Sequence, residues 1–126
     1  MPTVLIVDDE QHIRLLIEQT LEELEDEGVQ LLTASNGEEA LDVVSIHRPE
    51  VVFLDVMMPK KNGFEVCEAI KHERGMSATR VVLLTAKGQA VDRERGLAAG
   101  ADRYLTKPFD PDDLLATARE LLGLSA

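Results

Sequence analysis

The sequence predicts an α/β fold: one parallel five-stranded sheet covered by helices on both faces, a three-layer doubly wound (βα)5 sandwich. Three observations predict it. Strand-like and helix-like patterns alternate five times along 126 residues. The strand-like runs, such as Val4-Leu5-Ile6-Val7 and Val51-Val52-Phe53-Leu54, have no polar interleaving, as expected for strands buried on both faces. No linker, repeat or low-complexity tract interrupts the alternation, so residues 1–126 read as one domain. Right-handed crossovers restrict the connections. The order 2-1-3-4-5 then sets strands one, three and four side by side, with five next to four.

The elements follow in turn. Residues 3–7 form the first strand. Residues 11–25 read as a helix, with Ile13, Leu16, Ile17, Thr20, Leu21 and Leu24 in one apolar stripe and Gly28 as the stop. Residues 29–34 form a second, less apolar strand, and Asn36-Gly37 signals a turn into a helix over 38–46 with Ala40, Leu41 and Val44 inward. Residues 51–54 are a fully apolar third strand. A loop punctuated by Pro59 and Gly63 leads to a helix over 64–74. Residues 81–84 form the fourth strand, ending at Thr85, and residues 91–99 a short helix with a weak apolar face. Residues 102–105 form the last strand. Asp110 or Asp112 caps a final helix with Pro111 in its first turn, and Leu114, Leu115, Ala118, Leu121 and Leu122 face the core.

Composition narrows the function. With aromatics at 3%, the core must be aliphatic, and without tryptophan there is no indole to stack on bases or sugars. A formal net charge of −11 argues against nucleic-acid binding through a basic surface. A single cysteine, Cys67, excludes an internal disulfide or a cysteine zinc site and reads as core filler. No signal-peptide pattern is present, and no apolar run approaches the roughly 18 residues that span a membrane. A cytoplasmic protein without membrane insertion is expected. His12, His47 and His72 are scattered and read as surface residues, and Lys60-Lys61 as a solvated loop.

Charges stand at the ends of the buried runs. Asp8 and Asp9 follow the first strand, Asp55 the third and Lys107 the fifth. In such sheets ligands bind beyond the C-terminal strand edges, at the switch point between strands one and three. Converging carboxylates repel one another unless a cation joins them. A hard divalent cation with oxygen ligands, and an anion drawn to it and to the lysine, are the natural occupants.

Val7-Asp8-Asp9-Glu10, Leu54-Asp55-Val56-Met57-Met58-Pro59 with Gly63, Leu84-Thr85-Ala86 and Leu105-Thr106-Lys107-Pro108-Phe109 together resemble the receiver domain of bacterial two-component response regulators, of the stand-alone, chemotaxis-regulator kind. The resemblance covers nearly the whole chain, in order and spacing, and implies a flavodoxin-like fold. It implies that Asp55 is the phospho-acceptor, taking a phosphoryl group from a sensor histidine kinase or a histidine phosphotransfer protein. It implies Mg²⁺ on Asp9, Asp55 and the backbone carbonyl of Met57, with Asp8 acting through a water. Lys107 would pair with the acceptor and then with a phosphoryl oxygen, and the peptide before Pro108 would be cis. Thr85 and Tyr104 would form the switch: the modified Asp55 draws the Thr85 hydroxyl inward, and the Tyr104 ring then turns in. A downstream effector protein would read the surface of helix four, strand five and helix five, by a monomer or a phosphorylation-dependent dimer. Met57 and Lys87 would tune phosphoryl lifetime. Glu10 reads as a first-turn carboxylate favoured by the helix dipole, with a place near the metal as its other reading.

A signalling switch, and no enzyme beyond its own phosphorylation and dephosphorylation, is thus expected. Three alternatives compete with this reading. The residues could be the receiver part of a longer DNA-binding or enzymatic regulator. A flavodoxin-like FMN protein needs a hydroxyl-rich phosphate loop, where Asp8-Asp9-Glu10 would repel the phosphate. An aspartate-nucleophile phosphatase of the haloacid-dehalogenase type carries Asp-x-Asp on its first strand, whereas here the pair is adjacent and the candidate nucleophile is on the third.

Overall fold

In the computed structural model, which describes residues 2–58, 61–73, 78–86 and 90–124, strands and helices alternate along the chain. β1 (Thr3–Val7), β2 (Gln30–Ala34), β3 (Val51–Asp55), β4 (Arg80–Ala86) and β5 (Arg103–Lys107) form one parallel sheet in the order β2-β1-β3-β4-β5. The helices are α1 (Gln11–Leu21), α2 (Gly37–His47), α3 (Gly63–Glu68), α4 (Ala90–Ala99) and α5 (Pro111–Leu122). The expected α/β sandwich and strand order are therefore observed.

Strand alternation divides the core into two layers. Leu5, Val7, Val52, Leu54, Val81 and Leu83 pack against α2, α3 and α4. Val4, Ile6, Val51, Phe53, Val82 and Leu84 pack against α1 and α5. Phe53, Leu5, Ile6, Leu83 and Leu84 are fully buried, each worth about 1.5–3 kcal/mol in transfer from water. The register brings the strand ends level at their C-terminal edge. Val7 lies beside Leu54, Asp55 beside Leu84, and Ala86 beside Lys107.

Several boundaries differ from the sequence reading. The helix expected over 11–25 ends at Leu21 and continues as a 3₁₀ segment, Glu22–Glu27, closed by Gly28 at φ 84°. Glu22, Glu23, Glu25, Asp26 and Glu27 would crowd the negative end of a longer helix. Leu16, placed in the α1 stripe, is 44% exposed, and the inward face is Ile13, Ile17, Leu21 and Leu24. The helix expected over 64–74 is α-helical only to Glu68 and widens into a π turn, Ala69–Glu73, with Ile70 and Lys71 buried; Arg74 lies outside the described residues. β4 and β5 each reach further than expected, so Lys107 is the last residue of a strand rather than the start of a loop. Asp110, not Asp112, caps α5, its carboxylate accepting from the Asp112 N–H at 2.8 Å.

The ends of β4 and β5 away from the charges are clamped. Asp102 accepts from the Val81 N–H at 2.7 Å and meets Lys71 Nζ at 2.8 Å and Arg80 at 3.3 Å. Burial opposes its charge, but Lys71, the Val81 N–H and Arg80 outweigh this and hold the carboxyl below its ordinary value. Cys67 is core filler, its Sγ 3.5 Å from the Ala99 carbonyl, and burial pushes its thiol up to about 12. Among the described residues no helix is long and apolar enough to cross a membrane.

Candidate functional site

Three strand ends build the site. Asp8 directly follows β1 and is fully buried, Asp55 closes β3 at 3% exposure, and Lys107 closes β5. Lys107 Nζ donates to Asp8 Oδ2 at 3.0 Å and to Asp55 Oδ1 at 3.1 Å. One ammonium therefore ties two carboxylates from strands 99 and 52 residues away in sequence. The Lys107–Pro108 peptide is cis.

Backbone donors hold the carboxylates from below. The Glu10 N–H donates to Asp8 Oδ1 at 2.9 Å, and the Met57 N–H to Asp55 Oδ1 at 3.2 Å. Arg14, one turn into α1, donates from Nη1 to the Asp8 carbonyl at 2.7 Å and braces the β1–α1 loop. Gly63 fits because it lacks a side chain: a Cβ there would lie 2.5 Å from the Asp55 carbonyl oxygen. The Gly63 N–H donates to the Val56 carbonyl at 3.0 Å, so α3 starts against the residue that follows Asp55.

The electrostatics show surplus negative charge. Burial first, and then the Asp8 charge, push the Asp55 carboxyl up to about 6, although Lys107 and the Met57 N–H pull the other way. Burial alone would lower Lys107, but its bond to Asp8 and the charge of Asp55 raise it above the ordinary lysine value. Carboxylate oxygens of Asp8, Asp9 and Glu10 lie within 4.8 Å of one another, with Asp9 and Glu10 facing solvent. These all-oxygen donors suit a hard divalent cation. Glu10, at the N-cap position of α1, thus joins the acidic group as well as heading the helix.

The remaining candidates lie around this centre. Thr85 is buried one residue before the end of β4, next to Thr106 of β5 in register. Tyr104 is half-buried, its ring packed into the layer beneath α4. The Met57 side chain is 65% exposed. Lys87, Pro59 and Lys60 lie outside the described residues. Two residues the sequence reading did not single out, Arg14 and Gly96, meet the site or its switch only through the fold. Arg14 four residues after Glu10, one helical turn on, was the one visible signal.

A parallel doubly wound sheet with an acidic cup and a bridging lysine at its C-terminal edge defines a receiver-type module. The family model of the response regulator receiver domain matches residues 4–119, and the chain belongs to that family. It is 40% identical over 122 residues to the alkaline phosphatase synthesis transcriptional regulatory protein PhoP of Bacillus subtilis, covering 97% of this chain and 49% of that protein. It is 39% identical over 121 residues to the response regulator Rre1 of Synechocystis, covering 96% and 52%. The chain thus spans about half the length of such curated relatives. Among solved structures it resembles the BeF3-activated DrrB receiver domain, at TM-score 0.85 and 36% identity with 98% of each chain covered. The Vibrio cholerae chemotaxis protein CheY4 superposes at TM-score 0.84 and 36% identity, covering 96% of this chain and 98% of that one.

Proposed function

We propose that Asp55 is the phospho-acceptor of a signalling switch and takes its phosphoryl group from the phosphohistidine of a sensor kinase or histidine phosphotransfer protein. An Asp55 carboxylate oxygen attacks phosphorus, the N–P bond breaks, and the imidazole leaves with the electron pair. The observation that carries this reading is the placement of Asp55: buried at a strand end, raised to about 6 yet largely ionised at neutral pH, with Lys107 at 3.1 Å. Lys107 holds Asp8 and Asp55 together before transfer and offers its protons to a phosphoryl oxygen afterwards. The Thr85 hydroxyl donates to another phosphoryl oxygen, and Tyr104 carries the change to the surface of α4, β5 and α5.

Asp9, Asp55 and the Met57 carbonyl would hold Mg²⁺, with Asp8 through a water. When bound there, the cation would neutralise charge on the carboxylate and phosphoryl oxygens. The chain acts on no external substrate beyond its phosphodonor. A second reading is favoured by the length of the transcriptional relatives: these residues serve as the receiver part of a longer regulator, and α4–β5–α5 contacts an output domain rather than a separate effector. The chemistry at Asp55 is common to both.

With Mg²⁺ and acetyl phosphate the protein should gain one phosphoryl group by intact mass, and Asp55→Asn should gain none. An Asp55→Asn protein that still acquired an acid-stable, base-labile phosphate would show that the acceptor lies elsewhere.

A further inference from the structure

We propose that Gly96 is the positioning residue of Tyr104: its missing side chain makes a socket on α4 that receives the ring tip, and only with that socket empty can the ring sit inward. Tyr104 lies beside Leu83 in the β4–β5 register, and its ring runs under α4. A Cβ on Gly96 would stand 1.6 Å from the Tyr104 hydroxyl oxygen, 2.5 Å from ring atom Cζ and 2.8 Å from Leu83 Cδ1. Carbon atoms pack at about 3.5–4.0 Å, so a side chain at 96 and the ring cannot share this space. Leu83 is fully buried within the sheet and has little room to yield. Tyr104 is on the edge strand β5, with solvent to swing into, so the ring is the group that leaves.

Conformational freedom does not explain this glycine, which lies within α4 at an ordinary helical φ. In a helix interior glycine is disfavoured against alanine. The position gives up helix stability for space. In this structure the ring occupies the socket. On this proposal the inward seat is within reach of the chain before modification, which then biases its occupancy.

The inference rests on the reading of Asp55 and Tyr104 above, but its test separates the two. Tyr104 is the only tyrosine and the chain has no tryptophan, so intrinsic fluorescence reports this ring alone. Acrylamide quenching is measured on the parent and on Gly96→Ala, each before and after treatment with Mg²⁺ and acetyl phosphate. The expected result is a shielded ring in the unmodified parent and a quenching constant in Gly96→Ala shifted toward that of N-acetyltyrosinamide. Phosphoryl uptake by Gly96→Ala should match the parent, while its quenching stays high in both states. Equal quenching of parent and variant overturns the socket. A parent that takes up no phosphoryl group overturns the functional reading and leaves the contrast between unmodified proteins standing. Thermal melts of Gly96→Ala, Tyr104→Ala and the double variant close the cycle. The substitution at 96 should cost less stability, or rescue folding, once the ring is gone, and an equal cost in both backgrounds also overturns the proposal.

Discussion

Asp55 carries opposing demands in one side chain. On the proposed reading it must be buried to be held in place and ionised to attack. Its carboxyl is raised from 3.8 to about 6, first by burial and then by Asp8. Between those values the folded chain keeps a proton that the unfolded chain has released, so stability falls as pH rises through this window and stays low above it. In the absence of divalent cations, Asp55→Asn should therefore be more stable than the parent at pH 8, on the order of 1–3 kcal/mol. Urea unfolding should show that gap closing near pH 4, and a gap that widened toward acid would contradict the sign. Lys107 has the other half of the task. Lys107→Ala should still bind Mg²⁺ but lose the coupling between modification and the Tyr104 surface. Phosphorylated and unphosphorylated Lys107→Ala should then bind an effector equally, where the parent discriminates. A variant that discriminates as the parent does would remove the lysine from the switch.

At the scale of elements, the charged ends of the strands work only if the strands stay in register. The clamp at their opposite ends supports this. Asp102 joins Lys71 of the π turn to the Val81 N–H of β4, across 21 residues of sequence. Asp102→Ala removes a carboxylate from beside a buried ammonium and should cost about 3 kcal/mol. Guanidinium unfolding measures that loss, and a change within about 0.5 kcal/mol would assign Asp102 no more than a surface role. The strands, their order and the inward faces of α2 and α5 were legible in the sequence, because two-sided burial leaves unbroken apolar runs. The early end of α1 and the π turn after Glu68 were not. Each segment meets a distant partner, Glu27 with Arg119 and Lys71 with Asp102, that no local pattern reveals. The strand-end aspartates and Lys107 could be picked out because charge after an apolar run is conspicuous. Arg14 and Gly96 could not, because an arginine in a helix and a glycine before Leu97 look ordinary until the partner is seen.

For the whole molecule, the proposed cation site would link binding to folding. A cation held by Asp9 and Asp55 would bind the folded chain alone, since the unfolded chain does not bring these residues together. At a concentration of Mg²⁺ about 100 times its dissociation constant this linkage adds roughly 2.7 kcal/mol. For a chain of 126 residues the melting temperature should rise by roughly 8–16 °C, about 3–6 °C per kcal/mol being typical near this size. Calorimetry with and without Mg²⁺ measures it, and Asp9→Asn should lose most of the rise. An Asp9→Asn protein stabilised as much as the parent would contradict the ligand role of Asp9.

The sheet is also a partition. Asp8, Asp55 and Lys107 continue the strand positions that look toward α1 and α5, whereas Leu83 and Tyr104 look toward α4. On the proposed reading the charged cup and the Tyr104 ring sit on opposite sides of a wall one backbone thick. α5 flanks the cup's side while α4 covers the ring, so a listener that reads α4, β5 and α5 grips the wall from both sides at its open edge.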